Sequence, residues 1–397
     1  MRITNTYLQT QFLAAETSLQ ANLAQTQNQI ALGKSFTSPS QDPVAAGNVN
    51  NYNLALAQSQ QYDRNANIAQ NRLGLEDNSL SQFQSSLQTI RDLALQANNS
   101  SQTDQNRGAI AAQVQQIRDH LLALANTQDG NGEYLFSGYS SKTQPFSLTA
   151  TGASYVGDQG QRQIQIAAGR TVGDSDNGAT VFDQIKTGNG VFAASAGPAN
   201  TGSGVLGATT VIDPTAYDGG TYAINFTAAN TYEVRDAGNA LVTSGTFAAG
   251  QTLSFKGLQV TLNGQPAVND TFSVAPSSNQ SIFTTVQNLL NALTSAAGTP
   301  AATARLNNSI GAAITNLDQT LDQSSNVRAS VGARLNAIDA QSSLGGSQQL
   351  QLKTLISQLQ DLDYASALTK LNQQQTSLSA ALQSYTQIQG LSLFKYL

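Results

Sequence analysis

Residues 310–338 read IGAAITNLDQTLDQSSNVRASVGARLNAI. Ile310, Ile314, Leu317, Leu321, Ser324, Arg328, Val331, Leu335 and Ile338 alternate steps of four and three for four heptads, the spacing of a coiled-coil seam. Ser324 and Arg328 interrupt it with polar groups, which fix register at some cost in stability. The stretch lies in a proline-free run from Ala301 to Leu397, and a second such run extends from Val44 to Gln144. Between them, Lys142 to Ala275 holds 19 of the 32 glycines. The chain therefore reads as mainly α with an all-β insertion, long coiled-coil helices from both termini forming a rod and the β-domain projecting at its far end.

The amino-terminal half repeats the pattern. Leu8, Phe12, Ala15, Leu19, Asn22 and Thr26 form a 4/3 row with Leu23 and Ile30 beside it, and Gly33 is a natural stop because glycine reaches the left-handed conformation without steric cost. Asp42-Pro43 reads as an N-cap with proline at the first helical position. A helix from 43 to about 98 would span ~80 Å at ~1.5 Å per residue, with Gly74 a weak point. After NNSSQTD, a third helix carries Ile110, Val114, Ile117, Leu121 and Leu124, and its short connection implies antiparallel packing. From TQDGNGEYLFSG the period changes to two: Ile164/Ile166, Tyr222/Ile224/Phe226, Tyr232/Val234 and Leu258/Val260/Leu262 read as strands, with Asn263-Gly264 a turn signal. Helical spacing resumes near Ser281. Gly345-Gly346 predicts a hinge, and a last helix is expected to carry Leu352, Leu355, Leu359 and Leu362 and to continue through Leu371, Leu378, Tyr385 and Ile388 to Gly390.

These breaks predict three divisions: a terminal coiled-coil layer of 1–42 with 346–397, a helical rod of 43–140 with 281–345, and a β-rich outer domain of 141–280. Residues 1–41 contain three charges, Arg2, Glu16 and Lys34, and 346–397 contain five. Such lightly charged, thin-seamed helices are marginal alone, because helices of this kind are stabilised mainly by packing. The terminal segments are therefore expected to order on polymerisation, with Leu8, Phe12, Leu19, Ile30, Leu352, Leu355, Leu359, Leu362, Leu371, Leu378, Tyr385 and Ile388 as the assembly seam.

Composition narrows the function. A net charge of −5 without Lys/Arg clusters gives no nucleic-acid footprint. With no cysteine, thiolate chemistry and disulfides are impossible, and the single His120 sits on a helical run. Gly202-Ser-Gly204-Val-Leu-Gly207 matches the dinucleotide string, but Thr209-Thr210-Val211-Ile212 follows where a helix is required. Asp129-Gly-Asn131-Gly-Glu133 lacks the glycine a calcium loop places sixth, and Asp174-Ser-Asp176-Asn177-Gly178 fails in the same way. Neither cofactor nor metal is expected, and an enzyme housed in the insert is the weakest reading. The opening MRITNTYLQTQFLAAET has no secretory h-region, and no apolar run is long enough to span a membrane. A coiled-coil adhesin would need an outer-membrane anchor, which is not visible.

Four segments carry a family resemblance. MRITN with QTQNQIALGKSFTSPSQDPVAAG (25–47), NGEYLFSGYSSKTQPF (131–146), VRASVGARLNAIDA (327–340) and DLDYASALTKLNQQQTSLSAALQSYTQIQGLSLFKYL (361–397) resemble bacterial flagellin-type axial proteins, most closely the hook-associated protein 3 family of hook–filament junction proteins. Flagellin, the filament subunit, is the rival; GEYLFSG and the SLFKYL close favour the junction family. The resemblance covers about 1–146 and 305–397 and leaves the β-insert unmatched. It implies terminal helices lining an inner tube, a helical bundle around them and a β-domain outside. It implies export without a cleaved signal through the flagellar type III channel, with a cytoplasmic export chaperone on the C-terminal helix. It implies an extracellular layer of copies of the chain on the first hook-associated protein, presenting a surface on which flagellin polymerises.

Overall fold

The computed structural model describes residues 5–390, and their side chains except at 5, 6, 8 and 388–390. Among the described residues there are six α-helices: α1 (Asn5–Leu32), α2 (Pro43–Ala97), α3 (Asp104–Ala125), α4 (Ile282–Leu293), α5 (Pro300–Gln360) and α6 (Tyr364–Gly390). Between α3 and α4 lie β1 (Phe146–Thr149), β2 (Gly152–Tyr155), β3 (Gln163–Ala167), β4 (Arg170–Gly173), a π-helical turn at Ala179–Asp183, β5 (Ile185–Lys186), β6 (Phe192–Ala196), β7 (Val205–Val211), β8 (Tyr222–Ala228), β9 (Thr231–Asp236), β10 (Leu241–Thr246), β11 (Thr252–Phe255), β12 (Leu258–Asn263), β13 (Thr271–Pro276) and β14 (Asn279–Gln280). The long helices from both ends and the β insertion between them are the flagellin-like arrangement the sequence implies. The chain divides into two compact units, one of residues up to Arg64 and from Ala340 onward, the other Asn65–Asp339.

The caps form where their chemistry requires them. Gly33 ends α1 at φ +66°. Asp42 Oδ1 accepts the Ala45 N–H at 2.9 Å at the start of α2, beside Pro43. Gly74 does not interrupt α2. The expected hinge at Gly345-Gly346 is absent, because α5 runs through both glycines to Gln360. Glycine in a helix interior costs only ~1 kcal/mol, too little to end a 61-residue helix without a competing cap. The break falls instead at 361–363, where Asp363 Oδ1 caps α6 by accepting the N–H groups of Ala365 (3.0 Å) and Ser366 (3.2 Å). Leu352, Leu355 and Leu359 therefore belong to α5, Leu362 to the link, and Leu371, Leu378 and Tyr385 to α6.

In the Asn65–Asp339 unit the buried row of α5 is Ile310, Ala313, Leu317, Thr320, Ser324, Val327, Val331 and Ile338. Ile314 and Leu321 flank it, half-buried. Val327, not Arg328, fills the seam position; Arg328 lies beside it and pairs with Asp77 of α2 at 2.8 Å. At 313/314, 320/321 and 327/328 the smaller residue takes the interior and the longer one covers the rim. Leu73, Leu80, Phe83, Leu87 and Ile90 of α2 and Ile110, Val114 and Leu121 of α3 complete this core.

The core continues into β1–β5. Phe182 on the π-helical turn packs edge-on against Phe83, Phe136 and Phe146, with ring centroids 4.9, 4.9 and 5.5 Å away. Phe136 comes from the EYLFSG motif, which accounts for that motif as core. A separate sandwich holds its own core, with Tyr222, Ile224, Phe226, Leu258, Val260, Leu262, Phe272 and Val274 inward. Its sheets run β10-β9-β8-β13-β6 and β11-β12-β7, all neighbours antiparallel. The period-two residues at 222–226 and 258–262 are inward-facing, as the spacing predicts.

An ionic cluster joins α2, α5 and the loops between. Arg72 pairs with Asp129, with Glu133 at 3.3 Å and with Asp174 at 3.2 Å. Arg162 reaches Glu133 at 3.0 Å and Asp174 at 2.5 Å, and Arg334 pairs with Asp176. The two acidic loops that fail as calcium sites serve here as partners for arginine. Glu76 is fully buried beside them; its Oε1 accepts the Asp176 N–H at 3.1 Å, while Oε2 has no hydrogen-bond partner. Burial, then the Asp176 charge, pushes the Glu76 carboxyl well above its usual range. The folded state thus holds a proton that the unfolded chain releases near pH 4.5, so stability falls as pH rises from there toward the folded-state value. Glu76→Gln should raise the melting temperature at pH 7–8 by a few degrees, roughly what 1 kcal/mol gives in a domain of this size. It should also flatten the decline with rising pH, as read by calorimetry across that range.

Candidate assembly surface of the terminal unit

The terminal unit is built on a narrow seam. On α1 Phe12, Glu16, Leu19, Leu23, Thr26 and Ile30 are half-buried or buried, again in 4/3 steps, with Gln25 and Gln29 half-buried beside them. Ala15 and Asn22, expected in this row, are exposed, while Glu16 and Leu23 occupy it. On α6 the matching row is Leu371, Gln374, Leu378, Ala381 and Tyr385. The helices pack together with Phe12 stacked on Tyr385, centroids 4.2 Å apart and rings 10° from parallel. Residue 12 meets 385 and residue 33 meets 362, so the pair is antiparallel.

Backbone hydrogen bonding closes the end of this pair. Leu362 donates its N–H to the Gly33 carbonyl at 3.0 Å, Ser35 donates its N–H to the Gln360 carbonyl at 2.7 Å, and Lys34 and Asp361 form an antiparallel bridge. The Ser35 hydroxyl donates to the Leu359 carbonyl at 2.9 Å. Phe36, Ala45 and Val49 form a small core under this knuckle, covered by Ala46, Ile356 and Leu359. The Asp42-Pro43 cap is legible in the sequence; the Asp363 cap and the joining of the two turns across more than 300 residues are not.

The proposed seam residues thus fall into groups. Phe12, Leu19 and Ile30 lie on α1 facing Leu371, Leu378 and Tyr385 on α6, each only half-buried. Leu352, Leu355 and Leu359 lie on the last turns of α5, also half-buried, with Leu359 against the small core. Leu362 sits in the knuckle. The side chains of Leu8 and Ile388 lie outside those described. The sequence reading missed a further exposed set: Tyr7 and Leu13 on α1, Val44 and Leu54 on α2, Leu344 and Leu350 on α5, and Tyr364, Leu368 and Leu382 on α6. Val44 is 74% and Leu350 68% exposed, the reverse of core positions.

Helical ends with a half-covered seam and a β insertion define a flagellin-like structural protein. The bacterial flagellin N-terminal helical region matches residues 3–141, and the flagellin C-terminal helical region matches 314–397. The D2-like domain of flagellar hook-associated protein 1 matches residues 196–276, within the β-sandwich. Flagellar hook-associated protein 3 of Escherichia coli (strain K12) is 27% identical over 396 residues, covering 100% of this chain and 99% of that protein. The crystal structure of Xanthomonas campestris FlgL is 38% identical with a TM-score of 0.73, covering 77% of this chain and 99% of that one. Flagellar hook-associated protein 3 of Legionella pneumophila superposes with a TM-score of 0.75 at 27% identity, over 78% of this chain and 98% of that one. The chain belongs to the flagellar hook-associated protein 3 (FlgL) family, whose members are structural flagellar proteins.

Gly33 is the position on which the knuckle is most exposed to change. Its φ of +66° disfavours any side chain, and a Cβ there would stand 2.8 Å from the Tyr364 Oη. Gly33→Ala should cost about 1–2 kcal/mol locally. Hydrogen exchange at the Leu362 amide should accelerate about tenfold, whereas amides of the β-sandwich should keep wild-type rates.

Proposed function

We propose that the chain forms a layer of identical copies at the junction between hook and filament. It rests on the first hook-associated protein and presents a surface on which flagellin polymerises. The observation that carries this reading is the terminal unit: within one chain its seam is half-covered, and leucine, valine and tyrosine side chains stand exposed on all four of its helical segments. Burial of such residues contributes about 1.5–3 kcal/mol each, so a neighbouring helix of the same type is a strong attractor. Two likenesses support the placement. A solved relative from Legionella pneumophila is a flagellar junction protein, and the sandwich is of the type found in hook-associated protein 1.

In this account α1 and α6 line the inner tube, with the proposed seam from Phe12 to Tyr385 facing neighbouring copies. The chain reaches that place through the flagellar type III channel without a cleaved signal, its C-terminal helix held by a cytoplasmic export chaperone. No helix among the described residues is long and apolar enough to cross a membrane. Its role is structural, with no chemistry assigned to it.

Deletion of the protein should leave intact hooks without filaments in electron micrographs, with flagellin free in the culture medium. Normal filaments would contradict the junction role, and missing filaments without free flagellin would make the chain the filament subunit. Leu371→Glu and Leu378→Glu place a charge on the α6 seam. Each should abolish filament attachment while leaving the thermal unfolding of the Asn65–Asp339 unit unchanged; attachment at the wild-type level would remove α6 from the assembly seam.

A further inference from the structure

Four Asn-Gly pairs occur in the chain, at 131–132, 177–178, 189–190 and 263–264. Such a pair carries its own chemistry. The glycine nitrogen, once it has lost its proton, attacks Cγ of the asparagine; a C–N bond forms, ammonia leaves and a cyclic succinimide remains. Water, the one co-reactant, then opens the ring at either carbonyl. The products are aspartate or, with the main chain rerouted through Cγ, isoaspartate. Glycine permits the attack because it has no Cβ to shield its nitrogen. The step needs a carboxamide free to swing and a glycine N–H free to ionise, so the hydrogen bonds around each pair decide where the fold allows it.

Three of the pairs are restrained. Asn177 Oδ1 accepts the Thr180 N–H at 2.9 Å and the Thr180 hydroxyl at 3.0 Å, and its Nδ2 donates to the Gln159 carbonyl at 3.1 Å. Gly178 donates its N–H to the Phe136 carbonyl at 2.8 Å. Asn189 Oδ1 accepts the N–H groups of Val191 (3.1 Å) and Phe192 (2.9 Å), its Nδ2 donates to the Thr209 carbonyl at 3.4 Å, and Gly190 donates its N–H to Thr187 at 3.3 Å. At the third pair Gly132 donates its N–H to the Asp129 carbonyl at 3.0 Å, and the Asp129 carboxylate accepts the Asn131 N–H at 2.8 Å. With Glu133 next in the chain, negative charge on both sides opposes loss of a proton from the Gly132 nitrogen.

Asn263-Gly264 has none of these restraints. Asn263 is the last residue of β12 and is exposed. Neither its carboxamide nor the Gly264 N–H has a hydrogen-bond partner among the described residues. No charged residue lies between Lys256 and Asp270 in the chain. The segment that follows is nonetheless tied to the start of β7. Gln265 donates its N–H to the Ser203 hydroxyl at 3.0 Å and accepts the Ser203 N–H at 2.8 Å. Asp270 accepts the N–H groups of Thr201 (2.7 Å), Gly202 (3.0 Å) and Ala267 (2.9 Å).

We infer that Asn263 is a site of slow, one-way, enzyme-free modification, converted through a succinimide with Gly264 into aspartate and isoaspartate. Either product puts a carboxylate on a neutral turn. The isoaspartyl form also adds a methylene to the main chain between the Asn263–Val205 pair and the Gln265–Ser203 bonds, which loosens those bonds. Each copy of the chain thereby carries a chemical record of its age on the β-sandwich.

The test ages the purified full chain in a mildly alkaline buffer in which circular dichroism shows it folded. All four asparagines are followed by peptide mapping with electron-transfer fragmentation, which separates aspartate from isoaspartate. Asn263 should be lost about tenfold faster than Asn131, Asn177 or Asn189, equivalent to ~1.4 kcal/mol in barrier, with isoaspartate among the products. In denaturant the four should be lost at similar rates, because the restraints are gone. Hydrogen exchange at Ser203 should quicken in the isoaspartyl form while Tyr222–Phe226 keeps its rate. Asn263→Gln, which must close a larger ring, should remove the product at this position and leave the other three asparagines unchanged. Loss at Asn263 no faster than at the other three in the folded chain would overturn the inference. So would aspartate without isoaspartate, which marks direct hydrolysis with no ring, or the same ranking in denaturant, which would take the selection away from the fold.

Discussion

Hydrogen bonding between Gly33–Ser35 and Leu359–Leu362 sets the register of everything at the two ends of the chain. It brings together segments more than 300 residues apart and fixes where α1 stops and α6 starts. Once Leu362 is bonded to Gly33, two antiparallel helices at ~1.5 Å per residue must bring Phe12 level with Tyr385, which is where their rings stack. The bonds are few and lie between backbone groups, so they hold despite seams built from glutamine, serine and alanine.

The two units differ in how far they complete themselves. The Asn65–Asp339 unit has a continuous apolar core, an aromatic cluster around Phe182 and a sandwich with its own interior. The terminal unit has Phe36, Ala45 and Val49 as its small buried apolar cluster, and its α1/α6 seam is half-covered. In the assembly proposed above, a small core beneath long helices would leave much of their stabilisation to neighbouring copies. This asymmetry is what a subunit needs if it is to stay unpolymerised until neighbours are present.

Much of this was legible from residue spacing. The 3/4 rows located α1, α2 and α3 within a few residues and the helical character of 300–390 without its break, and the period-two runs at Tyr222–Phe226 and Leu258–Leu262 located inward-facing strands. The errors have physical causes. Gly345-Gly346 predicts a hinge because glycine is weak in helices, yet a cap that competes for the backbone ends a helix, and that cap is Asp363. Glu16 sits in the α1 seam and Asn22 does not, because a stripe on a lightly charged helix is defined by what it packs against. The candidate seam residues on α1 and α6 were readable for the same reason the helices were. The knuckle and the Arg72–Asp174 cluster were not, since contacts between distant loops leave no periodic trace.

The measurement closest to the central claim is limited proteolysis of the purified, unpolymerised chain with a broad-specificity protease, followed by mass spectrometry of the fragments. If the terminal unit depends on neighbours for its cover, residues 1–42 and 346–397 are lost first while a fragment spanning Asn65–Asp339 persists. Termini as resistant as that fragment would show that one chain suffices to stabilise them, and the account of assembly through a half-covered seam would be wrong.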